Sequence, residues 1–189
     1  HYSSEIKISD FYNSQFKFVP SSSTFMIYLD KIKNPLKDRI NYEFFDLSGR
    51  LLYSVDAELF VTHHLYDALN RKTGIIFYKN KLSLKLLNTL KSGGVITLTP
   101  DFNQDRCRRY FYDNDNLKIG EQDAAGYVTQ YMRDPSGLII QKILYHAPQQ
   151  INLTEGFNDI IKNLDLLNNP QDAHTIYEYD LRGQLIKEI

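Results

Sequence analysis

The chain of 189 residues contains no tryptophan, one cysteine, two methionines, six prolines and nine glycines. A single thiol, Cys107, rules out an intrachain disulfide framework and any zinc site built on several thiolates. An excess of charge of one sign is also lacking: 22 Lys and Arg stand against 23 Asp and Glu, for a net charge of -1. That balance excludes the basic stripe of a dedicated nucleic-acid binder and a polybasic membrane module. No apolar run approaches the roughly eighteen residues of a membrane span. No signal peptide is visible, and the chain starts at His1.

What the chain does hold is aromatic, with 14 Tyr and 11 Phe. Apolar residues make up 42% and charged residues 24%, which is enough for a packed core in one domain or two small ones. Abundant Tyr and Phe with few prolines favours strands whose aromatic faces are half buried.

The sequence repeats itself at an offset of 67 residues. Asp38-Arg39 returns as Asp105-Arg106, and the Asp returns again as Asp172. Asp46 returns as Asp113 and Asp180; Asp56-Ala57 with Val61-Thr62 returns as Asp123-Ala124 with Val128-Thr129; Asp67 returns as Asp134. Residues 38–67 and 105–134 share 9 identities in 30 positions without a gap.

Inside each copy runs a shorter rhythm, Asp-x-x-Gly or Asp-x-x-Asn, at Asp46/Gly49, Asp67/Asn70, Asp113/Asn116, Asp123/Gly126, Asp134/Gly137 and Asp180/Gly183. The spacing is turn chemistry. An Asp carboxylate accepts from the backbone N–H two residues on, and Gly or Asn three residues on supplies the positive φ that closes the turn. Short apolar and aromatic runs flank these motifs, so each reads as strand, turn, strand.

The expected fold is therefore mainly β: an antiparallel β-hairpin repeat array, two copies of a 67-residue unit, with one or two short inserted helices. The units span residues 38–104 and 105–171, a leader over 1–37 is an eroded part-copy, and a third unit starts over 172–189. The leader carries strand-like runs at Ile6-Lys7-Ile8 and from Phe25 to Leu29. Two stretches break the hairpin rhythm. Phe157, Ile160, Ile161 and Leu164 have helical spacing; Leu82 to Lys91 reads as a helix ended by Ser92-Gly93-Gly94, although Leu82, Leu84 and Leu86 alternate as a strand would.

At these residues the sequence resembles the YD-repeat, or Rhs (rearrangement hot spot), family. Tyr177-Glu178-Tyr179-Asp180-Leu181-Arg182-Gly183-Gln184-Leu185 matches its aromatic-x-Tyr-Asp-x-x-Gly pattern best. Tyr42 to Leu51 follows with Phe45 in place of the second Tyr, and Tyr110-Phe111-Tyr112-Asp113 is a good start whose Gly has become Asn116. Leu65-Tyr66-Asp67 lacks the first aromatic, and Arg133 precedes Asp134 where the family has Tyr. The resemblance implies a hairpin strip that spirals into a hollow shell, as in bacterial Rhs and insecticidal toxin-complex proteins and in teneurins. It further implies a secreted or cell-surface location and partners that are protein (the rest of a parent chain, a payload or a receptor) or carbohydrate. No cofactor is expected.

Candidate chemistry is thin. Asp134-Pro135-Ser136-Gly137 matches one half of the paired Asp-Pro-x-Gly signature of self-cleaving Rhs segments. No second copy of that signature occurs to complete a carboxylate dyad, so Asp134 reads as a turn. His63-His64, His146 and His174 lack helical ligand spacing. Asp113-x-Asp115 starts like a calcium loop, but Lys118 stands where Gly is required. Arginines flank Cys107 and would lower its pKa if they faced it; without a His or Asn in recognisable spacing it reads as structural. Arg106, Arg108 and Arg109 beside Tyr110 and Tyr112 mix charge with aromatic rings and form a possible binding surface. Asn152-Leu153-Thr154 is a glycosylation sequon. The expectation is a scaffold without enzymatic activity.

Overall fold

The computed structural model describes residues 39–167 and 169–189. The leader, residues 1–37, lies outside them. Ten strands and two helices follow in order: β1 (Tyr42–Phe45), β2 (Leu51–Val55), β3 (Val61–Tyr66), β4 (Lys72–Phe77), α1 (Leu84–Lys91), β5 (Arg106–Tyr112), β6 (Lys118–Gln122), β7 (Val128–Arg133), β8 (Ile139–Leu144), α2 (Phe157–Leu167), β9 (Ala173–Tyr179) and β10 (Leu185–Glu188). The strands form one sheet in sequence order, each antiparallel to the next. The architecture is mainly β, with both inserted segments helical.

Strand bounds repeat at the sequence offset. β2, β3 and β4 map residue for residue onto β6, β7 and β8, and β5 maps onto β9. Pairing repeats with them: Tyr53↔His63 in β2/β3 becomes Gly120↔Gln130 in β6/β7. The connections at the two ends of the strands differ in kind. One end carries five tight turns, at Asp46, Asp67, Asp113, Asp134 and Asp180, each beside a register shift in its hairpin. The other end carries the turns at Asp56 and Asp123 and the two long helical connections.

Each helix covers the apolar face of its own hairpins, because a sheet that alternates apolar and polar residues must bury one face. Leu87 and Leu90 of α1 pack with Tyr53, Val55, Val61, Leu82 and Ile96. Phe157, Ile160 and Leu164 of α2 pack with Val128, Ile143 and Tyr145. Phe44 and Leu52 at the margin of the first cluster correspond to Phe111 and Ile119 at the margin of the second. Helix α1 starts at Ser83, whose hydroxyl accepts from the Leu86 N–H, so a side-chain cap decides the helix over the alternating leucines.

The helices sit at different offsets because the two cores fill one position differently. Tyr53 occupies it in the first unit, and the corresponding residue of the second is Gly120. There the Phe157 ring of α2 lies directly on the glycine, which also faces the Thr129 carbonyl. One core takes its ring from the strand, the other from the helix. A methyl group at residue 120 would overlap the Phe157 ring. Gly120→Ala is therefore expected to displace α2 and cost about 2 kcal/mol or more, at the upper end of overpacking penalties. A thermal melt, where that cost is a drop of several degrees, checks this.

Candidate functional site

Among the described residues seven aspartates build turns of one geometry: Asp46, Asp56, Asp67, Asp113, Asp123, Asp134 and Asp180. In each, the Asp carbonyl accepts from the N–H three residues on, at 2.9–3.4 Å. One carboxylate oxygen accepts from the N–H two residues on at 2.8–2.9 Å. The same oxygen accepts from the N–H four residues on at 2.8–3.0 Å. The third residue after the Asp is left-handed in all seven: Gly49, Leu59, Asn70, Asn116, Gly126, Gly137 and Gly183, with φ from 64° to 92°. The turn at Asp56 escapes the Asp-x-x-Gly/Asn search because Leu59 holds the strained position. Its side chain packs at the edge of the first core, which offsets the backbone cost.

The five turns at one end of the strands are tied together. The Arg50 guanidinium bonds Asp46 at 2.6 Å within its turn and the Asn70 side chain of the next at 2.8 Å, with its plane over the Tyr66 ring. Arg71 repeats the arrangement one turn on: it bonds Asp67 at 2.7 Å, the Asp113 carbonyl at 2.8 Å and Asn116 at 3.1 Å, over the Tyr112 ring. The tyrosine before each Asp reaches back to a strand of the preceding hairpin. Tyr66 donates to the Leu51 carbonyl, Tyr112 to that of Lys72 and Tyr179 to that of Ile139. Arg133 takes the tyrosine's place before Asp134 and donates to the Lys118 carbonyl, the position equivalent to Leu51. Phe45, which has no hydroxyl, is 58% exposed. The Tyr-Asp pair is thus a mechanical unit: the Asp closes its own turn and the Tyr locks that turn to the previous one.

The proposed binding surface divides between two faces. Arg106, Arg108 and Tyr110 alternate with Cys107 and Arg109 along β5, so the first three share the face away from the helices. Arg109 does not belong with them: it is 6% exposed, lies over the Phe111 ring and donates to the Glu155 carbonyl ahead of α2. Burial lowers its pKa, opposed by nearby Cys107 and Glu155. Tyr112 belongs to the turn lock. Cys107 is fully buried, and burial pushes its thiol up to about 11, against the pull of Arg109. The open face of the second unit holds a groove of about 250 Å³ lined by Arg108, Tyr110, Glu121, Tyr127, Thr129 and Leu144. Beside it Lys118 bonds Glu121 at 2.9 Å and lies over the Tyr110 and Tyr131 rings. Tyr131 donates to Glu121 at 2.8 Å. The first unit has the equivalent groove, of about 400 Å³, with Asn41, Glu43 and Ser54 in place of Arg108, Tyr110 and Glu121; Leu51 and His64 stand where Lys118 and Tyr131 do, so the groove recurs and this grouping of side chains does not.

His63 and His64 are neighbours in β3; burial, then repulsion from His64, lowers His63 to about 4. Among the described residues no three His, Cys, Asp or Glu side chains gather as metal ligands. No helix among them is long and apolar enough to cross a membrane.

No family model and no curated protein matches the chain. Solved structures do. The chain aligns over 94% of its length with a chain of the TcdB2–TccC3 crystal structure, at 15% identity and a TM-score of 0.51. It aligns with the TcdB2–TccC3–TEV structure over 78% of its length at 15% identity (TM-score 0.49). With the Photorhabdus luminescens Tc holotoxin pore it aligns over 87% at 18% identity (TM-score 0.47). In the first of these it spans 7% of the larger chain. The fold is shared with a segment of that toxin-complex chain.

Two outcomes test the turn chemistry. Arg133 leaves its Nε buried without a partner. Arg133→Tyr should then match or exceed the parent stability, by up to about 1 kcal/mol, whereas Tyr112→Phe should lose about 1 kcal/mol. Thermal melts of both variants separate these signs. The second outcome concerns acid. The carboxyl of Asp46 lies below its usual 3.8, held there first by the Arg50 backbone N–H, and then by the Arg50 side chain and the Ser48 N–H against a raising effect of burial. At Asp67 burial pushes upward, but the Arg71 side chain and the N–H groups of Arg71 and Leu69 outweigh it. Depressed carboxylates contribute stability above the unfolded pKa and lose it as pH falls through the folded one. The melting temperature should therefore fall steeply below about pH 4, and less steeply in the Asp46→Asn/Asp67→Asn double variant, which cannot titrate there.

Proposed function

We propose that the chain is a length of YD/Rhs-type repeat scaffold, without enzymatic activity, belonging to a larger toxin-associated or cell-surface shell protein. The observation that carries this reading is the lock between successive turns: Asp closure within each turn and a Tyr or Arg donor reaching the previous strand pair, at Tyr66, Tyr112, Arg133 and Tyr179. Such a device adds hairpins to a strip one after another and has no role in a single compact core. The fold shared with a toxin-complex chain supports the same reading. The partners this implies are the remainder of a parent chain, an enclosed payload or a receptor, with secretion or surface display.

The aspartates of this scaffold are structural on this reading, Asp134 included, since one oxygen of its carboxylate accepts from the N–H groups of both Ser136 and Leu138, as in the other six turns. Intact mass after prolonged incubation from pH 4 to 8 is expected to stay at the full-length value. Asp134→Ala should lower the melting temperature by a few degrees, as the loss of about 1 kcal/mol would. A cleavage product in the parent that disappears in Asp134→Ala, with an unchanged melt, would instead make Asp134 catalytic.

A second reading, a protein- or carbohydrate-binding module, is favoured by one observation: the open-face groove recurs in both units, but only in the second is it lined by Arg108, Tyr110 and Glu121, where the first has Asn41, Glu43 and Ser54. Binding to a glycan or protein array that Tyr110→Ala and Arg108→Ala abolish, with unchanged melts, would support it.

A further inference from the structure

The open face of the second unit carries cations that the fold does not use. Arg106 and Arg108 are exposed on β5, and neither guanidinium has a hydrogen bond, ion pair or ring contact among the described residues. Arg108 lines the groove of about 250 Å³ together with Tyr110, Glu121, Asp123, Tyr127 and Thr129. The hydroxyls of Tyr110, Tyr127 and Thr129 likewise have no partner among the described residues. The two carboxylates differ from each other. Glu121 is held by Lys118 at 2.9 Å and by the Tyr131 hydroxyl at 2.8 Å. Asp123 gives one oxygen to the N–H groups of Ala125 and Tyr127, at 2.8 and 3.0 Å, and its other oxygen accepts from no group.

These groups discriminate between ligands. The groove is smaller than the about 300–1,000 Å³ of drug-sized sites, so it takes a single ring or a single side chain. A neutral polyol would leave Arg108 unpaired. An acidic peptide side chain would pair with Arg108 but bring no donor to Asp123 and push a further carboxylate toward it. A ring with one carboxylate and several hydroxyls satisfies every group. We propose that the groove binds the carboxylated sugar residue of an acidic glycan, its carboxylate on Arg108 and its hydroxyls on Asp123, Thr129 and the two tyrosines. A guanidinium holds a carboxylate through two parallel N–H···O bonds, which a neutral sugar cannot form. Tyr110 and Tyr127 add flat apolar rings edged by a hydroxyl, matching a ligand that is apolar on its ring face and polar at its rim. The first-unit groove supplies the contrast: Asn41 stands in the place of Arg108, and no Arg or Lys lines it. One site per chain follows. The inference rests on the binding-module reading, whose ligand it specifies.

Titration calorimetry of the full chain tests it with three probes: a trisaccharide ending in glucuronic acid, its counterpart ending in glucose, and a glutamate-rich peptide. The acidic sugar should bind at one site per chain, at least about tenfold tighter than the neutral one, as bonds to a charged group allow. Arg108→Gln should bring the two sugars to equal affinity with an unchanged melting temperature. Arg106→Gln removes the same charge outside the groove lining and should change the affinity less than about threefold. Equal affinity for the two sugars in the parent chain, or equal losses in Arg106→Gln and Arg108→Gln, would overturn the carboxylate assignment and leave the binding-module reading standing. Tighter binding of the glutamate-rich peptide, lost in Arg108→Gln, would overturn it in favour of a protein ligand. Absence of saturable binding by all three probes would overturn it together with the binding-module reading.

Discussion

A carboxylate that occupies two backbone N–H groups, two and four residues ahead, fixes both the path of a turn and the point where the next strand begins. Among the described residues the arrangement occurs seven times with near-constant distances, and the rest of the structure follows from it. The strands are short, so a one-residue slip would carry every apolar side chain to the open face. The turn prevents the slip because its hydrogen bonds close in one register. Besides the Asp, the turn favours particular residues at its left-handed third position, where Gly and Asn recur in six turns of the seven. The Asp does not join hairpins to one another. That second task falls to the tyrosines and arginines at one end of the strands, and it explains why aromatic residues accumulate just before the aspartates.

Much of this is legible in the sequence because turn chemistry is local. Asp-x-x-Gly needs no distant partner to have its meaning, and a repeat at constant offset supplies an internal comparison that a single turn lacks. The mainly β fold and the helix over Phe157–Leu167 were readable on these grounds, while the helix at Leu84–Lys91 needed its Ser83 cap to decide against a strand. What escaped depended on tertiary contact. Leu59 breaks the Gly/Asn rule, and its tolerance comes from core packing around it. Arg133 reads as a lapse from the Tyr pattern, although its guanidinium reaches the carbonyl that a hydroxyl would reach. Arg109 sits in a run of charge that looks solvated, and only strand alternation turns it inward, toward the Glu155 carbonyl.

The two cores show how much freedom the period leaves. With turns and strand registers fixed, the volume above each pair of hairpins must be filled, but the source of the filling atoms is open. Tyr53 fills it from the sheet and Phe157 fills the corresponding space from the helix, above Gly120. A ring lost at one position and gained at another is a volume-conserving exchange of the kind cores accept at small cost. It also shifts the helix along the chain, which accounts for two inserts that share a role without sharing an offset.

The same comparison of copies separates architecture from whatever else the chain does. Turn residues and several helix-side positions, Val61/Val128, Tyr78/Tyr145 and Phe44/Phe111, recur between units because both units need them to fold. The open-face groove recurs as well, but its charged and aromatic lining does not: Tyr110, Lys118, Glu121 and Tyr131 of the second unit stand where the first has Glu43, Leu51, Ser54 and His64. These second-unit side chains are organised among themselves by an ion pair, a hydrogen bond and two ring contacts. Burial and the Glu121 bond raise the Tyr131 hydroxyl to about 12, so the network keeps its proton through the neutral range. The fold does not require this organisation, since the first unit adopts the same strands and registers without it. A surface that is ordered, polar and aromatic, and dispensable for folding, is where selection for a partner would act. Any specificity this strip possesses is therefore expected on the open face of its second unit, with the turns holding that face in position.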